Sequence, residues 1–243
     1  MCKRFFVPDG ITSVTEISGA EFHHIADVMR IPAGGEIVLF CGDGFDYRAR
    51  VTAYGRKSLT AEIIEKTRVD NEPHIRLALF QAAIKPEKFE RVIVKAAELG
   101  AVSVTPLLTA YSQFPASSFS PERMSKIAVS AAKQCGRAVL VGTEPPVKIA
   151  ALGEKLKGFD TVIMPYEYEK NNTLKDALRG KNPKSVAVII GCEGGFSEDE
   201  AALCGKFGAL TVTLGPRIMR AETAGAAVTA AIMYELDEWV RQC

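Results

Sequence analysis

The C-terminal third of the chain contains two strand–loop–helix joints in close succession. Each joint begins with a short apolar run that ends in Gly, and the two runs are Ser185–Gly191 and Ala209–Gly215. Such runs are typical of buried parallel strands. Ser197 and Glu200 have the spacing of a capping box, so the first loop should lead into a helix that begins near Glu198. Because open α/β sheets bind ligands at the carboxyl ends of their strands, the two loops predict a binding site there.

The residues of these loops restrict the chemistry of that site. Gly191, Gly194 and Gly195 let a ligand approach the main chain closely. Neither loop has the GxGxxG pattern of dinucleotide sites or the GxxxxGK[ST] pattern of P-loops, and the sequence contains neither GxSxG nor HExxH. Loops rich in backbone groups and poor in nucleophiles favour binding of a flat, polar small molecule. The alternative is that both loops are tight turns of an ordinary α/β protein.

The pattern of strands and helices divides the chain into two parts. Residues 1–70 are strand-rich, with one short helix predicted from the capping-box spacing of Ser18–Glu21 toward Met29, and they predict a small β-barrel-like domain. A turn-rich boundary follows, and strands then alternate with helices over residues 74–243, which predicts a mostly parallel sheet with helices on both faces. The main elements predicted there are the strands Ile75–Gln81, Ala101–Thr105, Thr161–Met164, Val186–Ile190 and Leu210–Leu214 and the helices Pro86–Leu99, Pro121–Gln134 and Ala221–Val240.

Composition excludes several classes of protein. The apolar runs are too short for a membrane span, and the first residues lack the apolar segment of a secretory signal. Six Cys without a C-x-x-C pair and only three His predict neither a metal site nor a disulfide framework, and they fit a reducing cytoplasm. The net charge of +1 argues against a strongly electrostatic nucleic-acid binder, although a local patch or a dimeric groove would supply a positive field.

Two segments of these joints resemble a known family. Gly191–Ser197, reading GCEGGFS, and Leu214–Ala224, reading LGPRIMRAETA, closely resemble the signature of the RsmE family. Members of that family are S-adenosylmethionine-dependent methyltransferases of the SPOUT (trefoil-knot) class that methylate uridine N3 in small-subunit (16S) ribosomal RNA. Further segments similar to the family are Arg4–Val7, His23–Arg30, Gly35–Gly44, Lys95–Gly100 and Gln134–Arg137. Departures are Cys192 for a usual Pro, Met219 for Leu, Lys133 for Glu, and Val141 near an expected Pro.

The resemblance implies a fold and a function. It implies a PUA-like RNA-binding β-barrel over residues 1–70 and a SPOUT α/β domain with a trefoil knot over residues 74–243. It also implies a cytoplasmic homodimer that uses S-adenosylmethionine to methylate 16S rRNA or the small ribosomal subunit. Two alternatives stay open: a SPOUT methyltransferase that acts on another RNA, such as tRNA, and a non-catalytic RNA-binding or ribosome-assembly factor.

The resemblance also implies a pocket for the methyl donor. Backbone N–H and C=O groups of three loops would form hydrogen bonds with the adenine edge. Apolar side chains would cover the faces of the adenine ring. The alternative for these apolar side chains is packing in the core. The residues expected to bind the donor are Met164, Pro165, Tyr166, Ile190, Gly191, Glu193, Gly194, Gly195, Leu214, Gly215, Ile218, Met219, Thr223 and Ala224.

Methyl transfer to N3 of uracil has two requirements. The base has to be unpaired or extruded, and N3 has to lose its proton. A cation beside the uracil carbonyls would stabilise the anion, and Arg217 and Arg220 are the candidates, with Glu222 positioning one of them or accepting the proton. The alternative is an Arg–Glu pair that closes the loop onto the last helix. Glu193 is expected to anchor its own glycine loop through backbone amides. Contacts with RNA phosphate groups are predicted for Arg4, Arg30, Lys85, Arg123 and Arg137. The alternative is that these side chains are ordinary solvated surface.

Overall fold

The computed structural model describes residues 4–239 of the chain. The chain divides into two compact units, one formed by residues 1–72 together with 132–140 and the other by residues 73–131 together with 141–243. The division at residue 72 falls in the turn-rich boundary expected from the sequence. The grouping of residues 132–140 with the first unit is a feature that the predicted limits, 1–70 and 74–243, do not contain.

The first unit is built on a mixed, curled sheet of five strands. Its strands are β1 (Arg4–Phe6), β2 (Val14–Ser18), β3 (Glu36–Phe40), β4 (Phe45–Tyr54) and β5 (Ser58–Arg68). The order is β1-β3-β4-β5-β2, in which β1 pairs parallel to β3 and the other pairs are antiparallel. Along β4, Tyr47, Ala49 and Val51 are buried while Arg48 and Arg50 are exposed, as a strand with one face on the core requires. The predicted barrel-like domain is confirmed.

The helix of the first unit differs from its prediction. Helix α1 (Gly19–His23) continues as a π-helical turn over His24–Val28, and the Ser18 side chain makes no capping hydrogen bond. Both Glu21 carboxylate oxygens accept from Lys133 Nζ, at 2.9 and 2.8 Å. The predicted capping box is therefore wrong, because a cation distant in sequence takes the carboxylate that the box would need.

Two predicted RNA contacts also require correction. Arg4 and Arg137 are each only 4% exposed. The Arg4 guanidinium donates to Asp46 at 2.6 Å and to the carbonyl oxygen of Arg137 at 2.8 Å, whereas Arg137 donates from Nε to Glu72 at 3.0 Å. A buried guanidinium needs such partners. Both side chains therefore stabilise the first unit and are not available to phosphate groups.

The second unit is a seven-stranded sheet with helices. Its strands are β6 (Arg76–Ala82), β7 (Ser103–Leu108), β8 (Gly142–Thr143), β9 (Val147–Lys148), β10 (Thr161–Pro165), β11 (Ser185–Ile190) and β12 (Ala209–Val212). Its helices are α2 (Pro86–Glu98), α3 (Pro121–Cys135), α4 (Leu152–Leu156), α5 (Leu174–Leu178), α6 (Glu198–Lys206) and α7 (Ala221–Glu235), with 3₁₀ turns at Ala116–Ser118 and Ile149–Ala151. The last turn of α3 lies in the segment that groups with the first unit.

The sheet runs in the order β12-β10-β11-β6-β7-β8, with β9 paired to β7, and its pairings are parallel. All six residues of β11 are buried, as its apolar sequence predicts. Strand β12 ends at Val212, so Leu214 belongs to the following loop and not to the strand as predicted. Helix α7 ends at Glu235, short of the predicted Val240, which lies outside the described residues. The mostly parallel α/β architecture is confirmed.

The predicted capping box of α6 is present. Ser197 Oγ accepts from the backbone N–H of Glu200, and the Glu200 carboxylate accepts from the N–H of Ser197. Loss of such a cap costs about 1 kcal/mol. We therefore expect Ser197→Ala to lower the free energy of unfolding by about this amount in urea titrations. The control is Ser130→Ala, an exposed serine within α3, which should stay within about 0.5 kcal/mol of the parent. Equal stabilities of the two variants would contradict the assigned cap.

Within residues 4–239, no helix combines the length and the apolar character that crossing a membrane requires.

Candidate functional site

A cavity of about 520 Å³ lies at the carboxyl ends of β10, β11 and β12. Strand β10 sits between β12 and β11, so the loops that follow these three strands converge on one edge of the sheet. The parallel direction of the strands causes this convergence. The two joints that the sequence singled out therefore line one cavity, together with the loop after β10.

Most of the residues predicted for the donor pocket line this cavity. They are Pro165, Tyr166, Ile190, Gly191, Glu193, Gly195, Leu214, Gly215, Ile218, Met219 and Ala224, and the predicted catalytic residues Arg217 and Arg220 lie among them.

Four of the predicted donor-binding and catalytic residues are not in the cavity wall. Met164 is fully buried in the sheet, and Thr223 and Glu222 lie in the first turn of α7. Gly194 lines a smaller neighbouring cavity. Position alone does not assign a role, so the roles of all these residues stay predictions.

Sequence reasoning missed five residues of the cavity wall. These are Glu167, Cys192, Phe196, Thr213 and Ala221. Each stands within or directly beside a predicted segment, so adjacency to the strand ends was the available signal. Within the described part of the chain, no group of three or more His, Cys, Asp or Glu side chains could hold a metal ion.

The glycine loop is a tight turn with bare backbone toward the cavity. Gly195 has φ +70°, and its N–H donates to the Cys192 carbonyl oxygen at 3.0 Å. A Cβ atom at Gly195 would lie 2.1 Å from Oε1 of Glu167, and one at Gly191 would lie 3.2 Å from the Gly195 backbone. Only glycine adopts this conformation readily and leaves this space open. The loop is thus shaped to bring main-chain groups close to a ligand.

Several side chains of the loop after β12 are exposed to solvent. Ile218 is 89% exposed, which is unusual for a large apolar residue beside a cavity. Arg220 is the residue before α7 and caps it without a side-chain hydrogen bond. Neither Arg217 nor Arg220 forms an ion pair with any residue in the described range 4–239. Both guanidinium groups are therefore available to a ligand at the cavity.

Lys88 of α2 pairs with one carboxylate from each of the two joints. Lys88 Nζ lies 2.8 Å from Oε1 of Glu193 and 3.5 Å from Oε1 of Glu222, whose other oxygen is buried without a hydrogen-bond partner. The hydrogen bond from Lys88 lowers the pKa of Glu193, so this carboxylate keeps its charge at neutral and mildly acidic pH. The predicted alternative of an Arg–Glu pair is not formed, because Glu222 faces Lys88. Glu193 thus pairs with a lysine side chain of α2, and its expected anchoring of the glycine loop through backbone amides stays a prediction.

Comparison with known proteins identifies the family. Residues 71–233 match the model of the RNA methyltransferase domain, and residues 17–64 match that of the RNA methyltransferase PUA domain. The chain is 30% identical to ribosomal RNA small subunit methyltransferase E of Bacillus subtilis over 230 residues, covering 91% of this chain and 90% of that protein. The chain belongs to the ribosomal RNA small subunit methyltransferase E family. The same protein of Mesomycoplasma hyopneumoniae is 32% identical over 91% of this chain and 94% of its own length.

Solved structures agree with membership of the methyltransferase E family. A methyltransferase from Legionella pneumophila, in complex with the bound cofactor SAM, is similar with a TM-score of 0.87 at 28% identity, over 97% of this chain and 98% of that one. The family member from Neisseria gonorrhoeae, bound to S-adenosyl methionine, gives 0.84 at 26% identity over 97% and 98%. The predicted family, α/β fold and methyltransferase activity are thereby confirmed.

Three predicted RNA contacts of the methyltransferase are exposed. Arg30 lies in the first unit within the backbone region φ > 0, whereas Lys85 and Arg123 belong to the second. Lys85 pairs loosely with Glu87 at 3.6 Å, and Arg123 pairs with Glu90 at 2.5 Å. The Lys85–Glu87 pair is exposed on both sides, and such a pair contributes little to stability. The prediction that these three residues contact phosphate therefore stays open.

Proposed function

We propose that this protein transfers a methyl group from S-adenosylmethionine to N3 of a uridine in the 16S rRNA of the small ribosomal subunit. The observation that carries the proposal is the cavity at the carboxyl ends of β10, β11 and β12, walled by the two loops that resemble the family signature. The same proposal places the protein in the cytoplasm, where ribosomes are assembled.

The cavity fits the methyl donor in size and chemistry. Its volume of about 520 Å³ lies within the range of small-molecule sites. The bare backbone at Gly191 and Gly195 suits an adenine edge, and Ile190, Leu214 and Met219 offer apolar cover for its faces. The sulfonium of S-adenosylmethionine supplies a methyl group that is already activated, so no nucleophile on the protein is required.

The protein's own contribution is position and charge. Methyl transfer forms a bond from N3 of uracil to the methyl carbon and breaks the bond from that carbon to sulfur, while the N3 proton leaves. Arg220 and Arg217, which have no ion-pair partner among residues 4–239, stabilise the negative charge that develops on the uracil carbonyls. Glu222, with one carboxylate oxygen unpartnered, is the candidate acceptor of the proton.

Assembly as a homodimer is part of the proposal. Of the small residues of α7, Gly225 is buried within its own subunit, since a Cβ there would lie 3.2 Å from Oε1 of Gln81. Ala227 and Ala230 are only partly buried, and Tyr234, one turn further on the same face, is exposed. This face supports close packing with a second copy.

We expect light scattering at micromolar concentration to give about twice the monomer mass of 26.3 kDa. Tyr234→Glu should shift the mass toward the monomer, because a buried charge opposes helix packing. A parent mass near 26.3 kDa would contradict the dimer. The trefoil knot, which the resemblance implies, stays a prediction.

Incubation of small subunits that lack the modification with labelled donor tests the function directly. The label should appear on N3 of one uridine of the 16S rRNA. Label on tRNA or on another RNA would favour a different substrate within the SPOUT class. Donor binding without transfer to any RNA would favour a non-catalytic RNA-binding or assembly factor.

A further inference from the structure

A second, smaller cavity of about 370 Å³ opens beside the first. It is lined by Tyr111, Gln113, Glu193 and Gly194. Glu193 also belongs to the wall of the larger cavity, so the two cavities share this residue. A molecule bound in the smaller cavity would therefore lie next to a ligand in the larger one.

Tyr111 forms an exposed aromatic surface in this cavity. Half of its surface, 51%, is accessible to solvent. A Cβ atom at Gly194 would lie 3.1 Å from Cβ of Tyr111 and 3.4 Å from its Cγ, so the tyrosine lies directly against the bare glycine loop. Exposed aromatic rings of this kind are the platforms on which proteins stack unpaired bases.

The segment that carries Tyr111 is held in place by a buried carboxylate. Glu200, only 7% exposed, accepts from the N–H of Ala110 at 2.7 Å and from the N–H of Ser197 at 3.0 Å. A turn adds further order, because Thr109 N–H donates to Ser112 Oγ at 3.1 Å. One side chain thus fixes the tyrosine segment to the start of α6, directly after the glycine loop. Such pre-organisation lowers the entropic cost of binding.

The polar groups of the cavity suit a neutral base. The amide of Gln113 is exposed and has no hydrogen-bond partner among residues 4–239, and an amide both donates and accepts. Uracil has a carbonyl oxygen on each side of N3, and the Gln113 amide N–H complements one of them while N3 faces the larger cavity. The Glu193 carboxylate in the shared wall disfavours a phosphate group in this position.

We propose that this smaller cavity takes the extruded pyrimidine base of the RNA substrate, stacked on Tyr111 with one carbonyl oxygen toward the Gln113 amide and N3 toward the donor in the larger cavity. The proposal rests on the proposed function, which requires an unpaired uridine at near-attack distance from the methyl donor. Tyr111 and Gln113 act here by binding and orienting the base.

The test compares variants by methylation of unmodified small subunits at saturating donor. Loss of a stacking ring should make kcat/KM of Tyr111→Ala fall roughly 10- to 100-fold, whereas Tyr111→Phe, which keeps the ring, should stay within about threefold of the parent. Gln113→Ala should lose about fivefold, the effect of one neutral hydrogen bond. The matched control is Tyr168→Ala, another exposed tyrosine that lines neither cavity and should match the parent. Donor affinity by calorimetry should be unchanged in all four variants.

A second readout needs no turnover. Single-stranded RNA that carries 5-iodouridine is irradiated with the protein, and the cross-link is mapped by mass spectrometry. We expect the cross-link at Tyr111, and its loss in Tyr111→Ala.

The outcomes separate the two proposals. Methylation by the parent with Tyr111→Ala equal to Tyr168→Ala, or a cross-link elsewhere, would overturn the base site and leave the proposed function standing. A cross-link at Tyr111 without methylation of any RNA would support the base site and overturn the proposed function. Weakened donor binding in Tyr111→Ala would overturn the base site, since Tyr111 would then be a support for the glycine loop. Absence of both methylation and cross-link would overturn both.

Discussion

Gly195→Val should abolish donor binding while the protein stays folded. Gly195 has φ +70°, a conformation that costs a side-chain-bearing residue about 1–3 kcal/mol, and a β-branched residue is the least tolerant. The carboxylate of Glu167, which lies 2.1 Å from an added Cβ, is at the end of an exposed side chain and can turn away. The lasting effect is therefore a valine side chain in the cavity and a distorted glycine loop. Calorimetry with S-adenosylmethionine should detect no binding.

Gly180→Val provides the matched control for this experiment. Gly180 has φ +67°, and a Cβ added there meets no atom within 4 Å. Its variant carries the same backbone strain in the same unit but adds nothing to the cavity. Both variants should show a similar decrease in melting temperature, and only Gly195→Val should lose the donor. Unchanged donor affinity in a folded Gly195→Val protein would refute the assignment of the cavity.

Arg220→Ala should slow methyl transfer far more than it weakens donor binding. Removal of a donor that stabilises developing negative charge costs on the order of 10²–10³ in rate. An interaction made mainly in the transition state lowers kcat and leaves ground-state binding unchanged. The position of Arg220 at the cavity, without an ion pair among residues 4–239, favours this role over that of a structural clamp.

Three measurements on the same variant distinguish the two roles. If Arg220 acts in the transition state, Arg220→Ala should greatly lower the rate of single-turnover methylation. Its donor affinity and melting temperature should change little. Arg179→Ala removes an exposed arginine at the end of α5, outside the cavity wall, and should leave all three at the parent values. A rate within a few-fold of the parent, combined with weakened donor binding, would make Arg220 a structural residue.

The sequence predicted those parts of the fold that depend on local patterns. The apolar run of β11, the alternation along β4 and the capping box at Ser197 each arise from residues close in sequence, and each is present. The convergence of the two loops was also predictable, because parallel strands that are joined by helices align their carboxyl ends.

Long-range partners explain what could not be predicted. Glu21 binds Lys133 in place of Ser18, and Glu222 faces Lys88 in place of an arginine. In both cases a carboxylate has a partner at hand locally and another far along the chain, and tertiary packing decides between them. Burial of Arg4 has the same origin, since nothing in a strand sequence such as Arg4–Phe6 indicates that carbonyl groups of residues 132 and 137 will surround the guanidinium.

The return of residues 132–140 to the first unit has a consequence for how this protein can be divided or recombined. A fragment that ends at Glu72 would lack the carbonyl oxygens that accept from Arg4 and the lysine that pairs with Glu21. In such a fragment Arg4 would keep Asp46 but lose both acceptors of its Nη1 group, so the fragment is not a self-sufficient module. A single crossover near residue 72 between two relatives would therefore separate Arg4 and Glu21 from their partners in residues 132–140. A functional chimaera would need residues 132–140 from the same parent as the first 72 residues.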